Sequence, residues 1–566
     1  MVAALAVAWA VLAALSLLSA NREIRRGLKA MDAARARADA AAVVEGRLLP
    51  DLRTARAHFA AGHDAAGGPL LVPARVLPVA GRQLRSVSAL SAAATTVTDV
   101  AIDGMTEAQP ILDEPGGSNA ARASSARRLG ELAGRADSRL AALRLGPRIG
   151  LITPLVEARN RLAGQLDELR GALGKAAKGG GAVADLLQGP RRYLVFAANN
   201  AEMRAGSGML LSAGELETGP DGIRLGTMRS VTDIPIPEGA VALRGDLADR
   251  WGWLQPTRDW RNLMTSPRFD VAAPLAAEMW VAAGNRPVDG VMVLDPVALA
   301  GLLRATGPVE LDGRRLDTDS IVEALLHGQY LRFPNFEERP ERREGLGKIA
   351  GAIFAVLDRG TWSLPGLAGG LANAAEGRHL LMWAAAAPEQ SAWQALGVDG
   401  SIRSDSLLLS VLNRGGNKLD PFVKMEAEMT VQAAEGGSDI TVTVRLENRA
   451  PVGEPLYIVG PHPLSGVGEG VYVGLLTLST PGAATGVRFD GVDVLAVSGT
   501  DGPSQVIGFQ FELPRGGTRS VVGRFHLPGE RGSMQVEPSA RVPPIVWRSG
   551  PATWRDSSAR TLTWTL

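Results

Sequence analysis

The stretch RRYLVFAANNAEMRAGSGMLLSAGELE, residues 191–217, reads as a strand, a Gly-rich loop and a second strand, and it decides the class of the middle of the chain. From residue 191 to about residue 396 short apolar runs (193–197, 288–294) alternate with stretches of helical periodicity (272–283, 345–358), the pattern of an α/β domain. Beyond Pro421 the period changes to two. Val423, Met425, Ala427, Met429 and Val431 fall on one face, then Ile440, Val442, Val444 and Leu446. Further runs at 471–478, 506–513, 520–527 and 561–566 are separated by Gly-rich turns, so an antiparallel β-sandwich is expected over residues 421–566.

Working towards the N-terminus, residues 21–182 are rich in Ala, Leu and Arg. Leu155, Leu162, Leu166, Leu169 and Leu173 form one heptad seam, and Leu129, Leu132, Ala136, Leu140 and Leu143 form another. With the breaks at Pro50, Pro69, Pro73, Pro78 and Pro147, these seams predict a bundle of antiparallel helices acting as a stalk. Residues 178–181 read as a Gly-rich hinge closing it. Residues 1–20 carry no charge and are long enough for a transmembrane helix or signal anchor. The fold class expected is therefore multidomain α+β: membrane helix (1–20), helical bundle (21–182), central α/β domain (183–420) and β-sandwich (421–566).

Composition excludes several functions. Sixty basic residues against 59 acidic ones give no basic face for nucleic acid. The absence of cysteine removes disulfides, thiolate nucleophiles and zinc–thiolate sites. The six histidines, His58, His63, His327, His379, His462 and His526, lack the spacing of a helical metal motif.

The 191–217 stretch, the run PVDGVMVLDPVALAGLLRATGPVELDGRRLDTDSIVEALLHGQYLRF at 287–333 and the intervening WGWLQPTRDWRNLMTSPRF at 251–269 together resemble the membrane-anchored family called domain of unknown function 4012. Its apolar N-terminus, the LVPARVLPVAGRQL-like stretch and the β-rich tail extend that resemblance over most of the chain. The order of elements around Val291–Leu294, Asp295, Val297–Ala305 and Gly307-Pro308-Val309 is also similar, more distantly, to the LytR-CpsA-Psr family, which transfers glycopolymers from polyprenyl pyrophosphate carriers to the cell wall.

That second resemblance implies a phosphate site and a divalent cation. Arg332, Arg339, Arg342 and Arg343 in YLRFPNFEERPERR (330–343), with Arg204 of the Gly-rich loop, are the candidate phosphate ligands, because guanidinium gives two parallel charged hydrogen bonds per contact. Asp233 and Asp295 are the candidate metal ligands, for Mg. Thr232 stands where that family has an arginine, and Ser207 and Gly208 stand near the place of an acid. Structural readings stand beside these: a tight turn for Arg204, a solvated helix start for 337–344, a surface pair for Arg258 and Asp259, and packing for at least two of Trp251, Trp253 and Trp260.

Arg22, Arg25, Arg26 and Lys29 follow the apolar run, which by charge bias alone favours a cytoplasmic bulk. The family resemblance points outward, so a single-pass, extracytoplasmic protein of the cell membrane is expected. Its expected function is binding of a polyprenyl-phosphate-linked or cell-wall glycan ligand. An active glycopolymer phosphotransferase and a non-catalytic assembly protein, meeting envelope proteins through its bundle or sandwich, stay open as alternatives.

Overall fold

The computed structural model describes residues 2–37, 46–114, 117–311, 313–335, 337–360, 362–461, 466–529 and 531–565, with the backbone alone at 2–15, 340, 343–346 and 531. The chain divides into a helical unit, residues 1–115 with 121–185, and a larger unit, residues 116–120 with 186–566.

In the helical unit, α1 (Val2–Ala36), α2 (Leu49–Gly67), α3 (Ala80–Leu112), α4 (Asn119–Ala141) and α5 (Thr153–Gln188) carry the packing. The two sequence seams meet: Ala136 and Leu140 of α4 pack with Leu166 of α5 and Val100 of α3, flanked by Leu162, Leu169 and Leu173. The glycines at 179–181 form no hinge, since α5 runs through them. A Cβ at Gly180 would lie 2.8 Å from the Cα of Gly130, so the small residues serve close approach of α4 and α5 instead.

The expected membrane span is corrected. Among the described residues no helix is long and apolar enough to cross a membrane, against both the anchored architecture and the single-pass localisation. A span needs about 20 apolar residues. Helix α1 turns polar at Asn21 and Arg22, and from Ala20 onward its face is taken by α2: Ile24 lies against Gly62 and Phe59 against Gly27, and His58 Nδ1 lies 2.6 Å from Glu23. The side chains of residues 2–15 lie outside the described residues.

The larger unit begins with β1 (Arg191–Met203), which pairs antiparallel with β2 (Gly208–Gly219) and parallel with β3 (Gly290–Leu294); β3 in turn pairs antiparallel with β4 (Leu380–Ala384). Leu194, Phe196, Val291 and Val293 are buried among Trp251, Trp260, Leu263 and Met279, so the sheet has helical and loop layers over its apolar side chains. Gly290 sits where a Cβ would meet both the Tyr193 ring and the Trp383 carbonyl, a close backbone approach that only glycine permits.

Two six-stranded sheets form the sandwich. The strands Val423–Ala434 and Gly437–Asn448 pair in full antiparallel register, and the alternate residues read from the sequence all point inward. The sandwich is not wholly antiparallel, a second correction. Glu426–Glu428 pair parallel with Val546–Arg548, and Ser406–Leu407 pair parallel with Gln535–Val536. These pairings bring C-terminal strands back beside earlier ones. The strand Ser406–Asn413, placed by sequence in the central domain, is a sandwich strand, paired with Tyr472–Pro481.

Gly290→Ala is expected to lower stability by about 1–3 kcal/mol through overpacking, read as a fall in the urea midpoint. Gly351→Ala, at an exposed helical site with nothing within 4 Å, is expected to be neutral or to stabilise by up to about 1 kcal/mol. Equal responses would contradict this account of the β1–β3 contact.

Candidate functional site

At the end of β1 the chain carries Glu202, Met203 and Arg204 into a turn closed by the Arg204 N–H donating to the Ser207 carbonyl, 2.8 Å. Gly206 and Gly208 fit beside Met264 and Asn199, where any side chain would clash. The loop is thus the structural turn, and it also aims Arg204. The guanidinium is held by the carbonyls of Arg261 (3.0 Å), Met203 (2.9 Å) and Asn413 (3.0 Å). Burial pushes its pKa down, with Glu202 and Asp420 opposing, though an arginine so placed stays charged.

Arg204 opens on a cavity of about 620 Å³ whose lining also includes Arg261, Arg339, Arg342, Arg414 and Lys418, against the acids Glu202 and Asp259. Among the described residues, two of the six cations have carboxylate partners. Lys418 lies 2.8 Å from Glu202, and Arg261 lies 2.5 Å from Asp259, which also caps the turn at Trp260. Burial works against the Asp259 carboxylate, but the Arg261 side chain and N–H prevail and hold its pKa below the usual range.

Arg342 is the central donor. It is only 6% exposed and stacks over Tyr457 at 4.3 Å and Tyr330 at 5.1 Å, and its Nη2 donates to the Tyr457 hydroxyl at 2.6 Å. Its Nε and Nη1, and the Nε of Arg339, are buried with no hydrogen-bond partner among the described residues. Unsatisfied buried donors on a charged group are costly, and an added acceptor would relieve that cost. Burial, before any charge effect, pushes the Tyr330 hydroxyl far up, so it remains a neutral donor or acceptor beside Asn199, 2.7 Å away.

The wall behind the cavity is fixed by Asp420. Its carboxylate accepts from the Met203 N–H (3.0 Å), Asn413 Nδ2 (3.0 Å), the Tyr472 hydroxyl (2.8 Å) and Arg541 Nη1 (2.9 Å). Arg541 is itself buried and donates further to the Asp420 and Val423 carbonyls. This knot ties the end of β1 to the sandwich.

Of the residues singled out by sequence, Arg204, Arg339 and Arg342 share the cavity. Arg332 is exposed and lies over the Phe333 ring, off the cavity lining. The Arg343 side chain lies outside the described residues, as does His462. The candidate metal pair separates. Asp295 is buried, and its oxygens accept from the Val297 and Ala298 N–H groups, Asn200 Nδ2 and His379 Nδ1, which makes it a helix cap with its acceptor sites filled. Asp233 is exposed at a short turn. Among the described residues no group of three or more His, Cys, Asp or Glu could hold a metal ion. Trp251 and Trp260 are core residues, Trp253 is 43% exposed under Arg414, and Arg258 pairs with Glu238 rather than Asp259.

Sequence reasoning missed Glu202, Arg261, Arg414, Lys418 and Tyr457. The run Asn413-Arg-Gly-Gly-Asn-Lys418 was the available signal: a second Gly-rich loop with two cations.

Asp420→Ala, which leaves Arg541 buried without its partner, is expected to cost about 3–5 kcal/mol. Asp420→Asn combined with Arg541→Met is expected to cost less than the single change by denaturant titration. A single variant as stable as the parent would show that the knot does not hold the cavity wall.

No curated protein and no solved structure matches the chain. A family model does, over residues 188–330, which is less than the sequence resemblance spans. None of the matches bears on the LytR-CpsA-Psr resemblance. The matched segment includes Glu202, Arg204, Arg261 and Tyr330, while Arg339, Arg342, Arg414, Lys418 and Tyr457 come from beyond it. The family whose model matches residues 188–330 is described as Protein of unknown function (DUF4012).

Proposed function

We propose that the larger unit binds a diphosphate-bearing ligand in the cavity between β1, the helix Arg339–Arg359 and the sandwich loop 413–418. The observation that carries this is the Arg342 guanidinium, buried with its Nε and Nη1 lacking a hydrogen-bond partner among the described residues, in a cavity lined by five further cations and two acids. A diphosphate supplies the acceptor oxygens and the charge that such a group lacks, and guanidinium geometry suits it.

The cavity adjoins a small apolar recess lined by Ala197, Ala198, Leu294, Leu299, Leu325 and Ile349, and the two share Leu211 and Ser212. The recess, about 50 Å³, has room for only the first carbons of a hydrocarbon chain behind an anionic head, as in polyprenyl pyrophosphate or a glycan carried on it. Binding is the function proposed. Its chemistry needs only the donors described, with Glu202 and Asp259 keeping Lys418 and Arg261 in place.

Isothermal titration of the full chain with farnesyl pyrophosphate, inorganic pyrophosphate and farnesol tests the reading. Saturable binding of farnesyl pyrophosphate, weaker binding of inorganic pyrophosphate and none of farnesol are expected. Arg342→Met is expected to lower affinity at least about tenfold, the scale of one lost charged hydrogen bond. It should leave the melting temperature unchanged or raised, because it removes a buried charge that lacks full pairing. Undiminished binding by a folded Arg342→Met protein would refute the assignment.

A further inference from the structure

The helical unit carries a feature that the ligand cavity does not explain. Between α2 and α3 the chain makes a short turn, Pro69–Leu71, and one helical turn, Val72–Arg75. There Leu70, Val72, Val76, Leu77 and Val79 all point outward. The loop before α5 adds Ile149 and Ile152, and across this set the exposure runs from 40% to 83%. The two segments lie together: Gln83 Nε2 donates to the Gly150 carbonyl at 2.8 Å, and the Ile152 N–H donates to Gln83 Oε1 at 3.1 Å. A Cβ at Gly150 would meet the Arg82 guanidinium, which places that charge at the edge of the aliphatic cluster.

Isolated exposed aliphatics are ordinary, but seven gathered at one end of a helical unit are not. Arginine also outnumbers acid around them. Arg75, Arg82 and Arg85 lie within or just after the first segment and Arg144 and Arg148 just before the second, while the nearest acids in sequence are Asp64 and Glu157, one to two helical turns away. A protein partner covering an apolar patch needs no such excess of arginine. An anionic phospholipid surface rewards both features, since aliphatic side chains enter the acyl boundary while arginines stay among the headgroups.

We propose that this end of the helical unit, Leu70–Val79 with Ile149–Ile152, docks on an anionic lipid surface. The contact is peripheral. It uses loop side chains rather than a spanning helix, and it does not depend on the ligand cavity.

The chain has no cysteine, so a single Val76→Cys or Ile149→Cys change admits one environment-sensitive fluorophore on the full-length protein. Glu131→Cys on α4 is the control position. With vesicles of phosphatidylcholine and phosphatidylglycerol, the labels at 76 and 149 are expected to shift to the blue and to be quenched by lipid-borne quenchers, while the label at 131 does not respond. Pure phosphatidylcholine should give a weaker response. Arg144→Gln and Arg148→Gln should each weaken partitioning onto anionic vesicles about fivefold. Labels at 76 and 149 that stay in water while the protein sediments with vesicles would overturn the proposal. So would a blue shift that grows with protein concentration in the absence of lipid, which would assign the patch to a second copy of the chain.

Discussion

The larger unit depends on one buried ion pair. Asp420 and Arg541 are both removed from water, and Met203, Asn413, Tyr472 and Val423 supply further hydrogen bonds to them, leaving only the Arg541 Nε without a partner among the described residues. A pair of this kind repays its desolvation only when its geometry is complete, so its partners are constrained as a set. Met203 ends β1, and Asn413, Val423 and Tyr472 lie at the ends of three sandwich strands, while Arg541 itself comes from the returning C-terminal segment. The ion pair therefore fixes where the central sheet meets the sandwich, and Arg204 and Asn413 are held in place on the cavity side of it.

Having placed that wall, the fold collects charge in front of it. Arg204 has its donors taken by carbonyls, Arg261 and Lys418 have carboxylate partners, and Arg342 stands between two tyrosine rings with donors to spare. Like charges gathered in a part-buried space repel one another and lose hydration. Packing alone gains nothing from that arrangement. An anionic ligand reverses both terms, which is why the cavity is read as a binding site and not as a weak spot in the core.

The regular parts of this fold were legible because their periods are local. Alternation from Val423 to Leu446 gave the inward residues of two sandwich strands, and the leucines from 162 to 173 gave the seam of α5. Features that depend on what lies opposite were not legible. The glycines near 180 look like a hinge until Gly130 is seen against them, and Asp295 looks like a metal ligand until its oxygens are counted against Asn200, His379 and two backbone donors. The apolar run at the N-terminus met the length rule for a span, yet the helix that contains it continues as a partner of α2. For the cavity, an arginine-rich run and a Gly-rich loop were enough to name Arg204, Arg339 and Arg342. Arg414 and Lys418 stand in a second Gly-rich loop that the sequence displays, but what brings that loop to the cavity is long-range sandwich topology, which no local pattern encodes.

The central claim is that these cations form a site for a diphosphate group. Thermal unfolding of the full chain at fixed ionic strength, with and without farnesyl pyrophosphate, tests it most directly. A ligand that binds only the folded state at a hundredfold its dissociation constant adds about 2.7 kcal/mol. The account predicts a melting temperature that rises with ligand concentration, and no rise with farnesol. A melting temperature indifferent to farnesyl pyrophosphate up to millimolar concentration would contradict it.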